Sequence, residues 1–110
     1  MFTKIIIYCE FIVIYIEVQF INSCPNSEPM LTRTKEAIAK YEGEVRYSEV
    51  IVENNEIADK IKFRGSPTLL INNEDFEGLP EIESPGLTCR YYANGLPTVE
   101  EILATLNNLK

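Results

Sequence analysis

A chain of 110 residues, 45% hydrophobic and 25% charged, is sized and composed for one domain with a real core. Asp and Glu number 17 against 10 Lys and Arg, and no two basic residues are adjacent, so the net charge of -7 repels phosphate backbones and anionic lipid headgroups and argues against a nucleic-acid partner. Histidine is absent, which removes every Ser/His and Cys/His catalytic pair and leaves thiols and carboxylates to carry any chemistry.

The first 20 residues, MFTKIIIYCEFIVIYIEVQF, are densely apolar but interrupted by Glu10, Glu17 and Gln19. A buried carboxylate costs about 2.5 kcal/mol or more at the centre of a bilayer, so a membrane-spanning helix is rejected. A secretory leader would use Lys4 and the apolar stretch from Ile5 to Ile16, yet no small-residue cleavage site follows. The remaining readings of residues 1–14 are an extra strand or a leader upstream of the domain, with Cys9 acting as a small hydrophobe. Residues 15–110 are expected to form the domain itself.

Apolar and polar residues alternate from Tyr15 to Ile21, which predicts a first strand ending at Asn22-Ser23-Cys24-Pro25. Met30, Leu31, Thr34, Ala37, Ile38 and Tyr41 fall at helical spacing, predicting an amphipathic helix from Glu28 to Tyr41 with Arg33, Lys35, Glu36 and Lys40 on its polar face. A second strand is expected over Glu44–Val52, then a short helix over Glu56–Phe63 capped by Asn54 or Asn55. Pro67 opens a buried third strand, Thr68–Ile71, and a fourth strand is expected over Leu87–Tyr92. Thr98 with Glu101 makes a capping box for a last helix that buries Val99, Ile102, Leu103, Leu106 and Leu109. The first two strands, joined through a helix, should be parallel and the last two antiparallel. The expected fold is therefore α/β with a mixed four-stranded sheet.

Three cysteines, Cys9, Cys24 and Cys89, form an odd count too sparse for a disulfide scaffold, which points to a reducing, cytoplasmic compartment, with a secretory leader as the alternative. In Cys24-Pro25-Asn26-Ser27 a serine stands where a Cys-x-x-Cys dithiol would carry its second thiol. A cysteine at a helix N-terminus sees unpaired amides that stabilise thiolate. Pro29 instead suggests that the helix is capped by Ser27, which turns fewer amides toward the sulfur and sets Glu28 beside it. Cys24 is then either a modestly activated thiol or an inert thiol in a turn. Alternation sets Leu87, Cys89 and Tyr91 on one face, where Cys89 reads as a core thiol.

The element order, a cysteine directly after the first strand, and Arg64-Gly65-Ser66-Pro67-Thr68 before the third resemble the thioredoxin-like superfamily over roughly residues 15–110. Together with Gly86-Leu87-Thr88-Cys89-Arg90-Tyr91, they resemble small thioredoxin-like proteins sometimes grouped with mercury-handling, alkylmercury lyase-like proteins. The resemblance implies a cis Pro67 facing the cysteine, with Pro25, Ser66, Pro67 and Thr68 as the substrate platform. Ser27 resembles the serine of monothiol Cys-x-x-Ser sites, a hydrogen-bond donor to the thiolate that cannot itself form a disulfide. Cys24 would be the nucleophile, forming a mixed disulfide, and Cys89 a possible resolving thiol.

Direct bonding of Cys24 to Cys89 is not expected, because the third strand should lie between the first and fourth. The function implied is thiol–disulfide exchange or thiol binding without a cofactor, on a protein or small-molecule thiol or disulfide. The alternative is a non-catalytic binding module for a peptide or a thiol-seeking metal such as mercury. A homo-oligomer formed through the N-terminal segment is a further expectation. The acidic stretch Asn73–Gly86 reads as a solvated loop, or as a lid beside the cysteine edge, and Arg90 has no assigned role.

Overall fold

The computed structural model describes residues 12–83 and 86–109; Cys9 and most of the apolar extension lie outside them. The element order is β1 (Val13–Phe20), α1 (Ser27–Lys40), β2 (Glu44–Ile51), α2 (Asn55–Ile61), β3 (Thr68–Ile71), β4 (Glu74–Asp75) and α3 (Val99–Asn108). The sheet runs β2-β1-β3-β4, parallel between β1 and β2 and antiparallel across the other two pairs. The chain is thus mixed α/β with a four-stranded mixed sheet and three helices among the described residues. Strand β1 starts at Val13, two residues before the expected boundary.

Alternation in β1 turns Ile14, Ile16, Val18 and Phe20 toward one face. There they meet Met30, Leu31 and Ala37 of α1, Leu69 and Ile71 of β3, and Ile102 and Leu106 of α3 in one continuous core. Helix α3 starts on the expected box, with the Thr98 hydroxyl accepting from the Glu101 amide and the Glu101 carboxylate accepting from the Thr98 amide. Leu109, expected inside, is exposed, because the helix ends at Asn108 before its last apolar position can turn inward. Arg33 does not face solvent alone: its guanidinium donates to the carbonyls of Leu96 and Pro97, tying α1 to the approach of α3. A smaller cluster of Val52, Ala58 and Phe63 packs α2 against the end of β2. Among the described residues no helix is long and apolar enough to cross a membrane.

The fourth strand is not where alternation placed it. Asn72 and Asn73 take φ of 52° and 69°, so the chain turns back in two residues and pairs Ile71 with Glu74 and Leu70 with Asp75. Two consecutive left-handed residues are what a type I′ hairpin requires, and asparagine tolerates that region better than most residues. The Asn72 side chain also accepts from the Tyr15 amide, fixing the turn to β1. The stretch Leu87–Tyr92 therefore lies outside the regular sheet and makes a single bridge, Ser66 to Cys89.

Candidate functional site

The site lies where β1 ends. The Cys24 amide donates to the Ile21 carbonyl, the Ser27 amide donates to the Cys24 carbonyl, and α1 starts at Ser27 with Asn26 as its cap. Pro29 sits in the first turn, where its missing N–H leaves no bond unmade. With the Ser27 amide engaged and Pro29 lacking one, Glu28 has the remaining amide of the opening three residues. The helix start therefore has few open amides with which to stabilise a Cys24 thiolate.

Ser27 is buried, and its hydroxyl donates to the Ile21 carbonyl at 2.8 Å. The Ile21 amide donates to the Ser66 hydroxyl at 2.8 Å, and the two hydroxyl oxygens are 3.1 Å apart. A hydroxyl has one proton, so Ser66 donates to Ser27 and the three bonds close a ring. This ring locks the cysteine turn to the segment before β3. In the oxidised chain the Ser27 proton is directed to a backbone carbonyl, not to sulfur. The Ser66–Pro67 peptide is cis, Pro67 and Thr68 are buried, and Pro25 is exposed.

Cys24 and Cys89 are bonded in a disulfide with a Cα–Cα distance of 6.0 Å. This corrects two expectations, a Cys89 buried as a core thiol and a third strand that keeps the two cysteines apart. Because residues 87–92 are not a fourth sheet strand, they cross over the end of β3 at Ser66 and bring Cys89 to Cys24. The bridge there is parallel: the Ser66 amide donates to the Thr88 carbonyl at 2.8 Å, and the Arg90 amide donates to the Ser66 carbonyl at 2.7 Å. The two ends of the disulfide differ, since Cys24 is 4% exposed and Cys89 is an exposed residue.

The segment has a second anchor that the sequence did not reveal. Arg90 donates to both oxygens of Asp75, at 2.7 and 2.8 Å, and to the Thr68 hydroxyl at 3.1 Å. The two charged side chains are only 7% and 2% exposed. Leu69 and Ile71 face the core, so Thr68, Leu70 and the residue opposite Leu70, Asp75, share the other face, where Arg90 meets them. One Asp75 oxygen also accepts from the amides of Glu77 and Leu79. Burial pushes the Asp75 carboxyl up, but the Arg90 guanidinium and these amides outweigh it and hold the group below its usual value. Arg90 also stacks 4.8 Å from the centre of the Tyr92 ring, and the Tyr92 hydroxyl donates to the Pro67 carbonyl. The acidic insert is thus only partly solvated, and Asp75 is a buried hub. Its signal was the Asn72-Asn73 turn, which sets Asp75 two residues into a new strand.

No known protein family, curated protein or solved structure matches this chain. Among the described residues, no group of three or more His, Cys, Asp or Glu side chains is placed to hold a metal ion. What the site offers chemically is one disulfide with unequal ends, held by a hydroxyl ring on one side and an ion pair on the other.

Proposed function

We propose that this chain is a thioredoxin-like domain that carries out thiol–disulfide exchange through the Cys24–Cys89 pair. The observation that carries the reading is the bond itself, set at the end of the sheet with one cysteine exposed. Exchange proceeds by attack of a thiolate on a disulfide sulfur, so a site of this kind needs an approachable sulfur and a second thiol able to leave and return. Cys89 supplies the first and Cys24 the second. In a reducing compartment, where the odd cysteine count points, disulfides are mostly transient catalytic or sensing states, which fits a cycling pair better than a permanent staple. The partner is a thiol or disulfide compound, and the reaction needs no cofactor.

The test is glutathione-dependent reduction of a small disulfide such as bis(2-hydroxyethyl) disulfide, in the full chain carrying Cys9→Ser. Cys89→Ser should lower turnover at least ~10-fold, because it removes both the internal disulfide and the exposed thiol, and Cys24→Ser should lower it because the internal disulfide is lost. Undiminished turnover in either variant would overturn the proposal. The binding-module reading is favoured by one observation: on reduction, the same geometry leaves two thiols side by side, a pairing suited to a soft cation such as mercury. It predicts stoichiometric metal uptake that needs both Cys24 and Cys89, with no turnover.

A further inference from the structure

We infer that exchange enters this site at Cys89, and that the partner is a low-molecular-weight thiol and not an extended peptide; the inference rests on the redox reading above. The resemblance to thioredoxin-like proteins puts the mixed disulfide on Cys24 and a bound substrate on Ser66. In this chain both positions are already covered by the chain itself.

An extended peptide docking at Ser66 would need its amide and carbonyl. Both are occupied, the amide by the Thr88 carbonyl and the carbonyl by the Arg90 amide. The occupant is anchored independently of the sulfur bridge, through the Arg90 pair with Asp75, the Arg90 bond to Thr68 and the Tyr92 bond to Pro67. Breaking the disulfide therefore leaves Thr88–Arg90 in place, and the backbone edge stays covered in the dithiol form. A thiol that requires no strand pairing does not meet this obstacle.

Thiolate attack on a disulfide runs in line with the sulfur–sulfur bond. The in-line path to the Cys24 sulfur starts on the side of that atom away from Cys89, and Cys24 is 4% exposed. The path to the Cys89 sulfur starts on the side of the exposed residue. In the reductive direction a small thiolate, RS⁻, bonds to Cys89 Sγ, the Cys24–Cys89 bond breaks, and Cys24 leaves with the electron pair as thiolate. A second RS⁻ attacks the sulfur of R, expels the Cys89 thiolate and forms RSSR. Two thiols are oxidised to one disulfide and the protein disulfide is reduced to two thiols. In the reverse direction Cys89 takes the group from RSSR, and Cys24 displaces it.

The test compares single-thiol chains in a Cys9→Ser background. Cys89 is the free thiol in the Cys24→Ser chain, and Cys24 in the Cys89→Ser chain. Each is treated with oxidised glutathione, and adduct formation is followed by mass spectrometry at the plateau of its pH profile, where the thiol is fully ionised. The Cys89 thiol should react at least ~10-fold faster than the Cys24 thiol, and the two rates should converge in denaturant, because the difference lies in access. Asp75→Asn added to the Cys89→Ser chain should loosen the covering segment and raise the Cys24 rate. A mixed disulfide with an extended octapeptide should form more slowly than the glutathione adduct at either thiol. Equal rates at the two thiols in the folded chain, a faster Cys24, or a peptide that reacts as fast as glutathione would overturn the inference while leaving the redox reading intact. An air-oxidised wild-type chain with no Cys24–Cys89 bond would overturn both.

Discussion

Replacing Cys89 by serine opens a loop whose ends are 65 residues apart, and the size of the effect follows from that length. Closing such a loop removes about 14–15 cal/mol/K from the unfolded ensemble, or about 4 kcal/mol at 25 °C. The folded state should change little, because Ser66 and the Arg90–Asp75 pair hold the segment without the sulfur bond. A cycle links this number to chemistry: the bond should form about 10³-fold more favourably in the folded chain than in the unfolded one, since each factor of ten is about 1.4 kcal/mol. The assay is urea unfolding followed by circular dichroism, for the oxidised chain, the same chain reduced, and Cys89→Ser. With a slope near 1.3 kcal/mol/M for a chain of this size, the midpoint should fall by about 3 M on loss of the bond. Glutathione titrations of the folded and the urea-unfolded chain should differ by the matching factor. A stability difference below about 1 kcal/mol, or equal glutathione equilibria in the two states, would show that loop closure does not set the strength of this bond.

Asp75→Asn leaves the buried Arg90 guanidinium short of its counter-charge and should cost about 3 kcal/mol, read from the urea midpoint at pH 7. Because the folded Asp75 carboxyl lies below its unfolded value, its stabilising contribution is present above about pH 3.9 and is lost as pH falls from there through the lower folded value. The variant should lack that acid limb, and an unchanged limb would contradict the assignment. Gly65 has φ of 103°, and a Cβ built on it lies 3.0 Å from Arg90 Cβ. Gly65→Ala should therefore cost about 1–3 kcal/mol and push Thr88–Arg90 off Ser66, speeding reduction of the disulfide by small thiols; no change in either quantity would refute the contact. Thr98→Ala removes one half of the capping box and should cost about 1 kcal/mol, a fall of about 4–8 °C in the thermal midpoint.

The helices and the first three strands were legible because each carries a local signal. Examples are the 3.6-residue stripe of α1, the Thr98 and Glu101 pair of α3, and the apolar run Leu69-Leu70-Ile71 of β3 behind Pro67. Strand β4 was missed because it is two residues long and carries Glu74 and Asp75, which alternation reads as loop. Its only sign was Asn72-Asn73, a dipeptide suited to two left-handed residues. A fourth strand at residues 87–92 would set β3 between Cys89 and Cys24, so the alternation of that stretch hides their pairing. The pairing of Arg90 with Asp75 is a long-range charge match across 15 residues, and no periodicity encodes it. The importance of Ser66 was visible only through the resemblance, and its ring with Ser27 and Ile21 depends on a meeting of two loops.

The proposed function requires the Cys24–Cys89 disulfide to exchange with external thiols in the folded chain. The most direct measurement is the rate of its reduction by glutathione as a function of thiol concentration, with circular dichroism recorded throughout and set against the independently measured unfolding rate. The rate should rise in proportion to thiol, exceed the unfolding rate, and be accompanied by no loss of helix or sheet. A rate that levels off at the unfolding rate, with the disulfide opening only as the chain unfolds, would make the bond a structural staple and not an exchanging pair.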